Sequence, residues 1–163
     1  MKRIIITLIF IIFMNVLLYS QISENQPVLQ IKNTNYFILM PVSELYRILG
    51  NPLETRIIDT FTVLLKYSDI WFFHCQNLGD SLVRRIIFTD ENIELNFQKV
   101  IGFSKDIITM EFGDNRYIMD RDEHTYFIYE FLMPEATHIE LVFRFNALGV
   151  CELVSLSHSS MFV

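Results

Sequence analysis

The twelve residues 41–52, Pro-Val-Ser-Glu-Leu-Tyr-Arg-Ile-Leu-Gly-Asn-Pro, predict a short amphipathic helix with a fixed end. Apolar residues recur along it at helical spacing: Val42, Leu45, Ile48 and Leu49. Pro41 suits the first turn, where its missing N–H leaves no hydrogen bond unmade. Gly50 can adopt the left-handed conformation of a C-cap, and Pro52 prevents the helix from continuing. The chain must therefore turn sharply after Leu49.

A second helix with the same kind of end follows about sixty residues later. Ser104 is a good N-cap, residues 105–112 carry the apolar positions, and Gly113 ends the helix. After each helix, runs of alternating apolar and polar residues separated by turn residues predict strands. These runs are residues 57–67, 70–75 and 82–88 in the first half, and 124–131, 138–146 and 150–156 in the second. Gly79 and Gly149 each follow a Leu and turn one strand into the next.

The matched order predicts an α+β fold. It consists of two tandem α-β-β-β repeats, with an antiparallel sheet and the short helices packed on one face. The predicted caps and turns are Gly50, Pro52, Gly79, Ser104, Gly113 and Gly149. Side-chain identity between the halves is weak, so chance similarity of two helix-plus-hairpin units is the alternative.

The N-terminus predicts a secretory signal. Lys2 and Arg3 precede an almost unbroken apolar run, Ile4 to Leu18, which is shorter than the roughly twenty residues of a membrane-spanning helix. An uncleaved N-terminal anchor is the alternative. The predicted division is a signal peptide at 1–20, a leader with a short strand at 21–35, repeats at 36–92 and 93–157, and a tail at 158–163.

Charge limits the classes of partner. The chain has 13 Lys and Arg against 19 Asp and Glu, a net charge of −6, and without Lys2 and Arg3 the balance is 11 against 19, or −8. A chain this acidic has no electrostatic footprint for nucleic acid or anionic lipid. If charge steers a partner, that partner carries a basic patch.

The helix end Ile48-Leu49-Gly50-Asn51-Pro52 and the turn at residues 142–150, Val-Phe-Arg-Phe-Asn-Ala-Leu-Gly-Val, together resemble a known pattern. It is that of the SmpA/OmlA (BamE)-type envelope domains and of the tandem β-lactamase-inhibitor-protein (BLIP) fold. The resemblance covers most of residues 36–157 and implies a protein-binding domain without catalysis. It is incomplete: the second helix end lacks the Pro, and both the lipobox Cys and the inhibitor's paired disulfides are absent. Outer-membrane assembly and β-lactamase inhibition are therefore not carried over.

No motif in the sequence specifies a reaction. The histidines share no metal-ligand spacing, and the run Asp120, Asp122 and His124 is typical of a solvated turn, since a hard cation needs more oxygen ligands. We predict no cofactor, no metal and no catalytic residue. Cys75 and Cys151 either form a disulfide or serve as two small buried apolar residues.

The apolar side chains that face away from the helices are the candidate site. In the first half, Phe61, Val63, Leu65, Trp71 and Phe73 are expected to face the helix, so their neighbours face outward. The predicted partner-binding residues are Leu64, Lys66, Ile70, Phe72, His74, Tyr126, Ile128, Glu130, Glu140, Val142 and Arg144. The alternative is that the leader, the tail or the other repeat covers this face.

These observations predict an exported, non-catalytic protein–protein interaction module of the cell envelope, whose partner is another envelope or secreted protein. No nucleic acid and no membrane span in the mature chain are expected. One alternative is a small-ligand-binding protein or enzyme with a pocket between the repeats, using His74, His138, Arg144 or the loop at Asp120. A third is a subunit that pairs through a free sheet edge.

Overall fold

The fold is mostly β. A computed structural model describes residues 27–31, 34–75, 81–114, 116–132 and 138–158, and within them the chain forms twelve strands and two short helices. The predicted signal peptide, most of the leader and Gly79 lie outside the described residues.

The two halves have the same order of elements, a short hairpin, a helix and four strands. The first half contains β1 (Leu29–Ile31), β2 (Thr34–Tyr36), α1 (Val42–Leu49), β3 (Glu54–Ile57), β4 (Thr62–Tyr67), β5 (Ile70–Cys75) and β6 (Val83–Phe88). The second contains β7 (Glu94–Leu95), β8 (Gln98–Lys99), α2 (Lys105–Phe112), β9 (Tyr117–Arg121), β10 (His124–Leu132), β11 (His138–Phe145) and β12 (Cys151–His158). Each half therefore has three strands more than the predicted α-β-β-β unit, although β1 is the short strand predicted for the leader. Strand β12 includes His158, the first residue of the predicted tail.

The last four strands of both halves form one antiparallel sheet of eight strands in the order β3-β4-β5-β6-β12-β11-β10-β9. The halves join where their final strands pair, with Val154 opposite Phe88 and Ser157 opposite Arg85. The strands that directly follow the helices, β3 and β9, lie at the two edges. The initial hairpins join in the same manner and form a second sheet in the order β2-β1-β7-β8.

Both helices end as the sequence predicts. Ser104 caps α2, because its Oγ accepts a hydrogen bond from the N–H of Ile107 at 3.4 Å. Gly50 has φ 75° and ψ −153°, and Gly113 has φ 83° and ψ −178°. This backbone region is almost restricted to glycine. Each glycine N–H donates to a helical carbonyl oxygen, that of Tyr46 at 2.9 Å and that of Thr109 at 2.8 Å.

One face of the large sheet, here called the inner face, carries the core. Its buried residues are Val63, Leu65, Tyr67, Ile70, Phe72, Val83, Ile86, Phe88, Phe127, Tyr129, Ile139, Leu141, Phe143, Phe145, Val154 and Leu156. Leu29 and Tyr36 from the small sheet belong to the same core, as do Leu45 of α1 and Ile108 of α2. The Tyr36 and Phe72 rings lie 6.1 Å apart, which brings the small sheet against the inner face.

The predicted α+β architecture, with helices packed on the sheet as its second layer, is wrong. An eight-residue helix is about 12 Å long, whereas eight strands span about 34 Å. Two such helices cannot cover that width, and the four-stranded sheet supplies much of the remaining cover. Its strands of two and three residues are too short to show a period in the sequence.

Candidate functional site

The face of the large sheet opposite the core, here called the outer face, holds most of the predicted partner-binding residues. Strand pairing places Leu64 opposite Phe73, Ile128 opposite Val142, and Tyr126 opposite Arg144. The predicted residues on this face are Leu64, Lys66, Tyr126, Ile128, Glu130, Glu140, Val142 and Arg144. All except Glu130 are partly exposed, and Glu130 is exposed. The outer face therefore runs across both halves.

Three predicted residues lie on the other side of the sheet. Ile70, Phe72 and His74 are on the inner face, with 7%, 0% and 8% of their surface exposed. Their assignment to a partner-binding face is wrong. Ser68 and Asp69 form a two-residue turn that pairs Tyr67 directly with Ile70, so these two side chains share the buried face.

The same pairing brings Trp71 and Phe73 to the outer face, so the prediction that they face the helix is wrong. The ammonium of Lys66 lies 5.8 Å from the centre of the Trp71 ring. The guanidinium of Arg85, a residue not predicted for the site, lies 5.8 Å from the centre of the Phe73 ring. Both distances are typical of cation–π contacts. The length of the turn at Ser68 and Asp69 was the signal that could have assigned Trp71 and Phe73 correctly.

Arg85 is fixed at the junction of the halves. Its Nε donates a hydrogen bond to Oγ of Ser155 on β12 at 3.0 Å. Ser155 and Ser157 have 2% and 1% of their surface exposed, so larger side chains cover them. Burial lowers the pKa of Arg85, partly opposed by the charge of Glu140. A cation thus sits at the centre of the outer face.

Two carboxylates stand directly opposite each other on neighbouring strands, Glu130 of β10 and Glu140 of β11. Burial is the first cause of the raised pKa of Glu140, and the charge of Glu130 raises it further, while Arg85 acts in the opposite direction. Like charges at directly paired positions destabilise a sheet. This part of the outer face is electrostatically unfavourable in the isolated chain.

A second charged group lies where β10, β11 and β12 come together. One carboxylate oxygen, Oε1 of Glu152, lies 2.8 Å from Nε of Arg144 and 3.0 Å from Nε2 of His124. The other ring nitrogen of His124, Nδ1, is 2.7 Å from the carbonyl oxygen of Asp122. All three side chains are about one-third exposed. Arg144 and His124 therefore both lie within ion-pair distance of the Glu152 carboxylate at the rim of the outer face.

The groups proposed for a pocket between the repeats do not converge. His74 is on the inner face, whereas His138 and Arg144 are on the outer face. An open concavity of about 390 Å³ is lined by residues 120–125 at the β9–β10 turn, away from the junction. In the described part of the chain, no three His, Cys, Asp or Glu side chains gather as metal ligands.

The two cysteines lie on opposite faces of the sheet and carry free thiols. Cys75 pairs with Thr62 on the outer face and is partly exposed. Cys151 pairs with Phe145 on the inner face, where burial raises the pKa of its thiol to about 12. Cys75 and Cys151 therefore do not form the disulfide that was one of the two predicted alternatives.

Comparison with known proteins gives a fold likeness and no family. The sequence matches no protein-family model, and no curated protein matches it. A solved structure of an extracellular protein containing a SCP domain, from Bacillus anthracis str. Ames, matches with a TM-score of 0.53 at 12% identity. The alignment covers 76% of this chain and 45% of the other, so the chain spans less than half the length of that protein. The resemblance to SmpA/OmlA and BLIP domains stays a prediction.

Neither helix in the described part of the chain has the length and apolar character that crossing a bilayer requires.

Proposed function

We propose that this chain is an exported, non-catalytic binding module that holds another envelope or secreted protein on the outer face of its eight-stranded sheet. The observation that carries the proposal is the composition of that face. Trp71, Phe73 and Tyr126 lie on it with Arg85 and Arg144. Aromatic residues and Arg are the types most enriched in protein interfaces and in their energetic hot spots.

The position of the other elements supports the same face. The small sheet and both helices contribute buried residues to the core on the inner face: Leu29, Tyr36, Val42, Leu45, Leu95 and Ile108. The described elements outside the large sheet thus leave the outer face accessible. A partner on it could contact both halves at once, across the β6–β12 junction.

The paired carboxylates indicate one contact that the partner supplies. Glu130 and Glu140 repel each other. Arg85 is the cation whose charge acts on Glu140, but its Nε already donates a hydrogen bond to Ser155. A Lys or Arg of the partner placed between the two carboxylates would relieve the repulsion. A partner with a basic patch also complements the net charge of −6.

Export is supported by the predicted signal in residues 1–20 and by the extracellular location stated for the Bacillus anthracis protein. The protein-binding role agrees with what the SmpA/OmlA and BLIP resemblance implies.

Affinity capture from envelope and culture-medium fractions tests the proposal. Wild-type chain is compared with Trp71→Ala, Tyr126→Ala and Arg144→Ala, and captured proteins are quantified by mass spectrometry. We expect at least one partner whose affinity falls about thirtyfold in each variant, with a matching loss of recovery, since truncating a hot-spot residue costs about 2 kcal/mol.

Phe97→Ala is the matched control. Phe97 is 67% exposed and lies at the turn between β7 and β8 in the small sheet, away from the outer face. Its variant should recover the partner as wild type does. Equal recovery by all four variants would show that the outer face does not bind the captured protein.

A further inference from the structure

The two edges of the large sheet differ in what they can pair with. Every residue of β9 is exposed, and its apolar members Tyr117, Ile118 and Met119 have 65%, 58% and 42% of their surface accessible. A strand edge with exposed apolar side chains is a template for pairing with another chain. In the described part of the chain, β9 pairs only with β10.

The β9–β10 turn determines which backbone groups of β9 are free. Asp122 and Glu123, with φ 51° and 65°, form a two-residue turn that pairs Arg121 with His124. The residues that flank such a turn exchange hydrogen bonds with each other. Hydrogen-bonded pairs then alternate along an antiparallel ladder, so the N–H and C=O groups of Ile118 and Asp120 point away from β10.

These free groups suit a second copy of the same strand. If two β9 strands meet antiparallel about a two-fold axis at Met119, Ile118 of one copy lies opposite Asp120 of the other. Both residues have outward-pointing backbone groups, so the two pairs form four hydrogen bonds. Met119 then meets its own copy, and Arg121 meets Tyr117, which provides a cation–π pair at each end.

The negative charge of Asp120 is already partly offset within one copy. Its Oδ1 accepts a hydrogen bond from Oγ1 of Thr125 at 2.6 Å, and that hydroxyl in turn accepts from Nζ of Lys105 at 2.8 Å. No like charges are directly opposite in this register. The pairing is isologous, so it closes as a dimer and does not extend into a filament.

The other edge is less suitable. The N–H of Ile58 donates to the carbonyl oxygen of Thr62, so the outward groups of β3 belong to Thr55 and Ile57. The register that uses both of them places Arg56 directly opposite its own copy. Like charges at this position oppose the pairing.

We propose that β9 is a homodimerisation edge, through which two copies of this chain join their large sheets into one continuous sheet centred on Met119. The shared edge is five residues long, which is small for a protein interface. We therefore expect a dimer dissociation constant in the micromolar range or above.

Sedimentation of the full chain over a concentration series, together with disulfide trapping, tests the proposal. Wild type should pass from monomer to dimer, and Met119→Lys, which sets two ammonium groups face to face, should weaken the dimer about tenfold or more. Met119→Cys in a Cys75→Ser background should form a disulfide-linked dimer, since directly opposite residues bring their Cβ atoms within disulfide range. Met110, which is 74% exposed on α2, gives the matched controls Met110→Lys and Met110→Cys. These should dimerise as wild type does and fail to cross-link.

The proposal is overturned if wild type stays monomeric up to about 1 mM, which would mean that the edge takes another chain or none. It is equally overturned if Met119→Lys dimerises as wild type does, or if Met110→Cys cross-links as well as Met119→Cys.

Discussion

The phenolic hydroxyl of Tyr67 donates a hydrogen bond of 3.0 Å to the carbonyl oxygen of Gly50, which ends the first helix. Tyr129 makes the same bond to Gly113 in the second half, also at 3.0 Å. In each half, the tyrosine of the strand next to the sheet edge, β4 or β10, thus binds the end of the preceding helix. The distance along the chain is nearly equal as well, 17 residues in the first half and 16 in the second.

Removing either hydroxyl should destabilise the fold by a similar amount. Tyr67→Phe removes the hydroxyl donor of the Gly50 carbonyl, and Tyr129→Phe removes that of the Gly113 carbonyl, which keeps a longer bond of 3.3 Å from Nη1 of Arg116. We expect each variant to lose about 0.5–1.5 kcal/mol in the free energy of unfolding. Urea denaturation followed by circular dichroism measures it. Tyr117→Phe is the control, because Tyr117 is 65% exposed and should lose almost nothing. A loss confined to one half would contradict the equivalence of the two bonds.

The helix-ending glycines should not tolerate a side chain. A Cβ at Gly50 or Gly113 meets no atom within 4 Å, so the cost of Gly50→Ala or Gly113→Ala arises from the backbone conformation alone. We expect each variant to lose about 1–3 kcal/mol of unfolding free energy in urea. Asn51→Ala, at an exposed neighbouring position, serves as the control. Wild-type stability in either glycine variant would show that the backbone relaxes at no cost.

Acid should weaken the fold partly through His74. Burial lowers the pKa of His74 below its ordinary value of 6.5, and its Nδ1 has no hydrogen-bond partner among the described residues. The unfolded chain binds the proton more readily than the folded chain, so the free energy of unfolding falls as the pH drops below about 6.5.

His74→Met should flatten this dependence between pH 7 and pH 5, as measured by urea denaturation at both values. His138→Gln, a substitution on the outer face, is the control. It should leave the pH dependence of the unfolding free energy that His74 causes unchanged. If His74→Met and wild type lose equal stability on acidification, burial of this ring is not the cause.

The two thiols should differ sharply in reactivity. Cys75 is partly exposed and therefore accessible to a reagent, whereas Cys151 is buried and burial raises the pKa of its thiol to about 12, so Cys151 should not react in the native chain. A disulfide-exchange reagent at pH 8 should label one thiol in native protein and two after unfolding. Cys75→Ser should abolish the native labelling. Two native thiols, or none after unfolding without reductant, would contradict the assignment.

The features predicted correctly from sequence are local ones. Gly50, Ser104 and Gly113 act within one helical turn, so their residue types determine the helix ends. The alternation in residues 138–145 likewise predicts β11, because each of its inward residues is buried. Such features need no knowledge of distant parts of the chain.

The incorrect predictions concern features that depend on which strands pair and on which strands lie at the edges of a sheet. The face on which Phe72 lies is set by its partner Leu65, and thus by the length of the turn between β4 and β5. The edge strands were missed because neither carries a buried face. Arg56 and Asp120 are exposed on β3 and β9, and polar exposed residues are typical of loops. Of the small sheet, only β1 was predicted, as the short strand of the leader. The other three strands were missed because a strand of two residues, such as Glu94–Leu95, contains no period.

The strand order also has a consequence for how the protein is made. Because β6 pairs with β12, the ribosome must add 66 further residues after Phe88 before its partner Val154 exists. Throughout that interval one edge of β6 has no pairing partner, and the core beside it is incomplete. The nascent chain is therefore most prone to wrong association late in synthesis, and the arrival of the final strand ends that exposure.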